Sequence, residues 1–139
     1  MYEQLRRLSY ALEPLEISGP TWRLLSELHF NGPASIRDLA RLAALERSNV
    51  SRLVDKMKQD GLVVSCASQD RRVHIVDLSD AGRAKYDAAA VLVAPLNMAT
   101  VSIFTPDELD RLTGMLKRLS MVLGVDFERP ATGPDNQHK

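Results

Sequence analysis

Residues 62–78 read LVVSCASQDRRVHIVDL. Two β-branched runs of strand length, LVVSC and VHIVDL, flank the polar turn ASQDRR, so the segment reads as a two-stranded hairpin. An isolated hairpin is marginal in water, which means that it must pack on its neighbours. Those neighbours announce themselves as helices: Gly61 is a C-terminal helix stop just before the hairpin, and Ser79 is an N-cap just after it.

Upstream, LERSNVSRLVDKMKQDG carries Val50, Leu53, Val54 and Met57 at i, i+3, i+4 and i+7, the period of a helix with one buried face. Ser35 followed by Asp38 has the form of a capping box opening SIRDLARL, with Ile36, Leu39, Ala40 and Ala43 turned inward. Ser18 caps a helix over 18–30 with Trp22, Leu25, Leu28 and His29 on roughly one face, stopped by Asn31, Gly32 and Pro33. Downstream, the alanine-rich AGRAKYDAAAVLVAPL is helical, and Pro95 predicts a kink or break there. Thr105, Pro106 and Glu108 cap a last helix carrying Leu109, Leu112, Met115, Leu116, Leu119 and Val122. The closing DFERPATGPDNQHK is polar and rich in Pro and Gly, the composition of a disordered tail.

The order is helix, helix, short helix, helix, hairpin, helix, helix. The fold class is therefore mainly α: a winged helix-turn-helix of three helices and a two-stranded wing, flanked by N- and C-terminal helices. We divide the chain into an N-terminal helix (1–17), to which the family resemblance given below assigns dimerisation, the winged head (18–78), C-terminal dimerisation helices (79–125) and a disordered tail (126–139). Dimerisation has a physical motive, because the alanine-rich helix and the last helix carry more apolar positions than a small head can cover.

At 139 residues the chain has room for one core, or for one shared with a partner. Lys plus Arg and Asp plus Glu both number 18, so no global field draws the molecule to nucleic acid or an anionic membrane. Any charged site must be local. Between residues 35 and 74 there are eight Lys or Arg against five Asp or Glu, whereas the remainder has ten against thirteen. Cys66 is the single cysteine, which excludes an internal disulfide and fits a reducing compartment. No apolar run approaches membrane-spanning length and the first residues do not read as a signal peptide, so a cytoplasmic protein is expected.

The local excess falls where it can matter. Opposite the buried stripe of residues 50, 53, 54 and 57, a helical wheel carries Ser48, Ser51, Arg52, Asp55 and Gln59, with Arg47 to one side. Small hydroxyls let a helix approach base edges, and arginine supplies forked donors for guanine and phosphate. A merely solvated face is the bland alternative, which the basic surplus weighs against. A hairpin tip beside such a helix reaches the adjacent minor groove, whose negative potential attracts an arginine of the pair Arg71 and Arg72, with Asp70 holding it in place. The alternative there is an exposed ion pair worth at most about 1 kcal/mol.

The stretches ISGPTWRLL, SIRDLARLAALERSNVSRLVDKMKQDGLV, DRRVHIVDLSDAG and TPDELDRLTGMLKRL, covering residues 17–123, resemble the MarR-type family of bacterial winged-helix transcription regulators. The resemblance implies an obligate homodimer with interlaced first and last helices. It presents two reading helices to successive major grooves of a pseudo-palindromic duplex. By position, Ser48, Asn49, Ser51 and Arg52 fall in the base- and phosphate-contacting stretch, Arg72 matches the wing arginine of the minor groove, and Asp70 matches its orienting acid. Ser35, Arg47, Lys56 and Arg71 complete the expected DNA-binding set. Three departures stand out: a short segment before the second helix, Glu46 where a better capping residue is common, and Pro95 inside a helix that is normally long.

The family also implies a small aromatic or apolar anionic effector, bound between the dimer helices and the head, where Trp22 and His29 lie on the lining helix. The residues themselves favour Trp22 as core and His29 as a satisfied buried or rim histidine, with ligand contact as the alternative. Histidines 29, 74 and 138 have no metal-like spacing and one cysteine to join them, so no metal or cofactor is expected. Cys66 is read as a structural thiol, with a redox-responsive regulator as the alternative. No Gly-rich phosphate loop, nucleophile elbow or paired acidic constellation points to an enzyme. A winged helix used only for protein contacts is the other rival, and Arg71 and Arg72 at the tip weigh against it. The expected function is a homodimeric repressor relieved by a small-molecule effector.

Overall fold

The computed structural model describes residues 2–68 and 72–124. Six helices surround a small sheet: α1 (Tyr2–Leu12), a 3-10 turn (Glu13–Leu15), α2 (Gly19–Asn31), β1 (Ala34–Ser35), α3 (Ile36–Ala43), α4 (Arg47–Gln59), β2 (Val63–Cys66), β3 (Ile75–Leu78), α5 (Asp80–Val101) and α6 (Pro106–Leu123). The expected tail lies outside the described residues, as do Asp70 and Arg71 of the wing tip.

The caps act where the residue types put them. Ser18 accepts the Thr21 N–H at 3.2 Å, Ser35 the Asp38 N–H at 3.1 Å, and Ser79 the Gly82 N–H at 3.0 Å. Thr105 and Glu108 form both halves of a capping box, satisfying two donors that the first turn of α6 would leave open. Glu46 precedes α4 without making a side-chain cap bond, as its residue type foreshadows.

The sheet has three strands, in the order β1-β3-β2, where the sequence predicts two. In the hairpin Val63 pairs with Leu78 and Cys66 with Ile75, while β1 adds Ala34 against Val76 and Ser35 against Ile75. Two residues are too few to show a strand period, and only the edge offered by β3 makes a strand of them. The main core gathers Leu24, Leu25 and Leu28 of α2, Leu39 and Ala43 of α3, Val50, Val54 and Met57 of α4, and Val76 and Leu78 of β3. A second cluster joins Leu12 of α1 to Ala89 and Val93 of α5, and Trp22 borders both.

Pro95 does not break its helix, contrary to that half of the expectation: α5 runs 22 residues through it. Proline forfeits one main-chain hydrogen bond, here toward the carbonyl of Val91, and both residues are exposed, so the freed acceptor lies on the solvent side of the helix. Helices α5 and α6 meet at 93°, and no single described helix is long and apolar enough to cross a membrane.

Candidate DNA-binding surface

The buried stripe of α4, Val50, Val54 and Met57, fixes which way its other face looks. Arg47, Ser48, Asn49, Ser51, Arg52 and Lys56 are all exposed. Arg47 and Arg52 make no ion pair among the described residues, whereas Lys56 is held by Asp60 at 3.2 Å. The loss of one donor to Asp60 separates Lys56 from the rest of the set. Asn49 also joins this surface, although the helical wheel alone did not single it out.

Beside this face lies a groove of about 410 Å³, bordered by the start of α3, the first residue of α4 and the arm of the wing leading into β3. Arg47 and Arg72 meet there, so the structure brings a reading-helix arginine and a wing arginine to one depression. Ser35 lies at the groove but is buried, and its hydroxyl is committed to Asp38. It donates to Asp38 Oδ2 at 2.8 Å while accepting the Asp38 N–H. Two further groove residues, Arg37 and His74, escaped the sequence reading. The available signal was Arg37 in the first turn of α3, where the helix dipole disfavours a cation.

Away from this surface, Trp22 and His29 of α2 converge on one ring that the sequence did not single out, Tyr86 of α5. Trp22 stacks on Tyr86 with centroids 5.2 Å apart and planes 8° from parallel; His29 stacks on it at 3.8 Å and 16°. Phe30 meets the same ring edge-on at 6.0 Å. Burial, and secondarily the nearby Asp87 carboxylate, pushes the Tyr86 phenol above the usual tyrosine range. Tyr86 thus belongs to the core of the head although it stands on α5. Cys66 is half-buried at the end of β2.

The joint between head and α5 is equally close. Ser79 donates its N–H to the Leu62 carbonyl at 3.0 Å and its hydroxyl to the Gly61 carbonyl. Gly61 itself adopts a φ of 73°, the left-handed turn that ends α4 and releases β2. Helix α6, by contrast, has almost nothing against it: of its 18 residues one, Ser120, is buried.

A model of the MarR family matches residues 15–72, which span α2 through the wing turn. The HTH-type transcriptional repressor IacR of Pseudomonas putida is 29% identical over 107 residues, 76% of this chain; the match spans 64% of that relative's length. The homoprotocatechuate degradative operon repressor of Escherichia coli is 26% identical over 84% of this chain and 78% of its own. A MarR family transcriptional regulator from Silicibacter pomeroyi superposes with a TM-score of 0.78 at 27% identity, covering 91% of this chain and 84% of that one. Element order, three-stranded sheet and these likenesses agree on a winged-helix fold. In fold, and over residues 15–72 in sequence, the chain is similar to the MarR family of winged-helix transcription regulators.

Proposed function

We propose that the protein is a sequence-specific DNA-binding repressor, acting as a homodimer on a pseudo-palindromic promoter site and released by a small aromatic or apolar anionic effector. One observation carries the reading: the outward face of α4 offers Arg47, Ser48, Asn49, Ser51 and Arg52 together, with two guanidiniums committed to no carboxylate among the described residues, beside the wing's Arg72. Short polar side chains bring the helix close to base edges, and the arginines supply the donors. The names of the relatives, both repressors, support the sign of regulation.

The dimer is supported by what α5 and α6 leave uncovered. Met115 is 63% exposed, Val122 84%, Val91 73% and Ile103 77%, an apolar surface far larger than scattered surface residues account for. A second copy of the same helices covers it with a self-complementary patch. We accordingly assign residues 18–78 to DNA reading and the flanking helices to association.

The effector reading rests on the stack of Trp22, Tyr86 and His29, which ties the head to α5 through aromatic faces. A planar aromatic acid competes for those faces, and one relative is named as the repressor of a homoprotocatechuate degradative operon. Release follows if inserting the ring alters the angle of α5 to α2 and with it the spacing of the two heads, which DNA fixes at roughly 34 Å. The test is an anisotropy titration against duplexes from upstream of the protein's own gene and its divergent neighbour. Binding at one of them at least about a thousandfold tighter than at a scrambled duplex is expected. Equal, feeble binding to all of them overturns the reading.

A further inference from the structure

The groove between α3, α4 and the wing contains more positive charge than the reading helix needs. Three guanidiniums, Arg37, Arg47 and Arg72, and the imidazole donor His74 border it, against one carboxylate among the described residues, Asp38. That carboxylate is already engaged, its Oδ2 by the Ser35 hydroxyl at 2.8 Å and its Oδ1 by Arg41 at 3.9 Å. Arg37 and Arg47 pair with no acid among the described residues. Each also stands in the first turn of its helix, where the dipole disfavours a cation. Helix stability therefore does not explain them, and an arriving anion does.

We propose that this groove holds a backbone phosphate of duplex DNA, and that Arg37 and His74 are positioning residues for it alongside Arg47 and Arg72. The inference rests on the DNA-binding reading above and deepens it. A phosphodiester suits the site because its oxygens accept from several donors at once, and guanidiniums around it offer forked, charge-assisted bonds. Arg37 comes from α3, not from the helix turned to base edges, so its contact carries affinity and register rather than sequence information. One wall of the groove belongs to the helices and the other to the wing, through Arg72 and Val73 to Ile75. A phosphate seated between them sets the distance of the wing from α4, and so aims the wing at its minor groove.

The test uses the full chain and two labelled 30-base-pair duplexes, one from upstream of its own gene and one scrambled, titrated at several salt concentrations. Arg37 and His74 are exposed, and melting curves verify that the variants fold as the parent does. Arg37→Gln is expected to weaken both duplexes by the same factor, about tenfold, and to lower the slope of log K against log salt by about one per engaged head. His74→Lys is expected to tighten both and steepen that slope. If the parent binds with a steep salt dependence and both variants match it, the phosphate site is wrong while the DNA-binding reading stands. Weakening by Arg37→Gln of the promoter duplex alone also overturns the proposal, since it makes Arg37 a base reader. A parent that binds neither duplex removes the DNA-binding reading itself, and this inference with it.

Discussion

Gly82 of α5 lies so close to Leu62, at the turn from α4 into the wing, that a β-carbon on the glycine would stand 1.9 Å from the Leu62 carbonyl oxygen. The obstacle is backbone, itself bonded to the Ser79 N–H, and cannot step aside as a flexible side chain would. Gly82→Ala is expected to destabilise the fold by about 3 kcal/mol, the upper part of the range for overpacking, and to lower the melting temperature by about 10 °C. Calorimetry checks it; a melting point within a degree or two of the parent's would show that the contact gives way.

The single tryptophan, Trp22, sits on Tyr86, whose ring faces carry the contact. Tyr86→Phe therefore keeps the packing and should change stability by less than about 0.5 kcal/mol. Tyr86→Ala removes the ring from between two stacked partners and should cost about 3 kcal/mol. Urea unfolding followed by Trp22 fluorescence measures both.

On DNA, Arg72→Ala and Arg52→Ala are each expected to weaken promoter binding by about 1–3 kcal/mol at fixed salt. Lys56→Ala should do less, because Asp60 already occupies that ammonium. An anisotropy series at one ionic strength ranks the three. Equal losses would mean that the duplex displaces Asp60.

Helix α6 supplies the clearest test of association. Met115 and Leu119 are both more than half exposed and lie four residues apart on one face. The double change Met115→Glu and Leu119→Glu should leave the head folded and shift sedimentation to a 15.5 kDa species. A parent already monomeric at micromolar concentration would contradict the proposed dimer.

Acid should loosen the start of α6 first. Glu108 accepts the Thr105 N–H at 2.8 Å and the Thr105 hydroxyl at 3.1 Å, bonds that hold its carboxyl below the usual glutamate range. The folded value lies below the unfolded one, so this contribution is complete above the unfolded value, about pH 4.3, and disappears as pH falls through the folded value. Helicity followed by circular dichroism from pH 6 downward should decline earlier in the parent than in Glu108→Gln, once each is scaled to its own value at pH 6. Superimposable curves would show that the carboxylate does not set the acid limb.

Local chemistry was legible in the residues themselves. The caps at Ser18, Ser35, Ser79 and Thr105, the stop at Gly61 and the stripe of Val50, Val54 and Met57 depend on neighbours within one or two helical turns, so the chain order alone determined them. From that stripe the exposed face of α4, and with it most of the candidate site, followed by periodicity. What the tertiary structure decided depends on contacts across long separations. Ala34 and Ser35 become a strand only because β3 offers an edge, Tyr86 joins Trp22 and His29 only when α5 crosses α2, and Arg37 and His74 share a groove only once the wing folds back on α3. Of the kink or break that Pro95 predicts, the break does not occur, for a related reason: whether one lost hydrogen bond ends a helix depends on the exposure of the freed carbonyl, and exposure belongs to the folded chain.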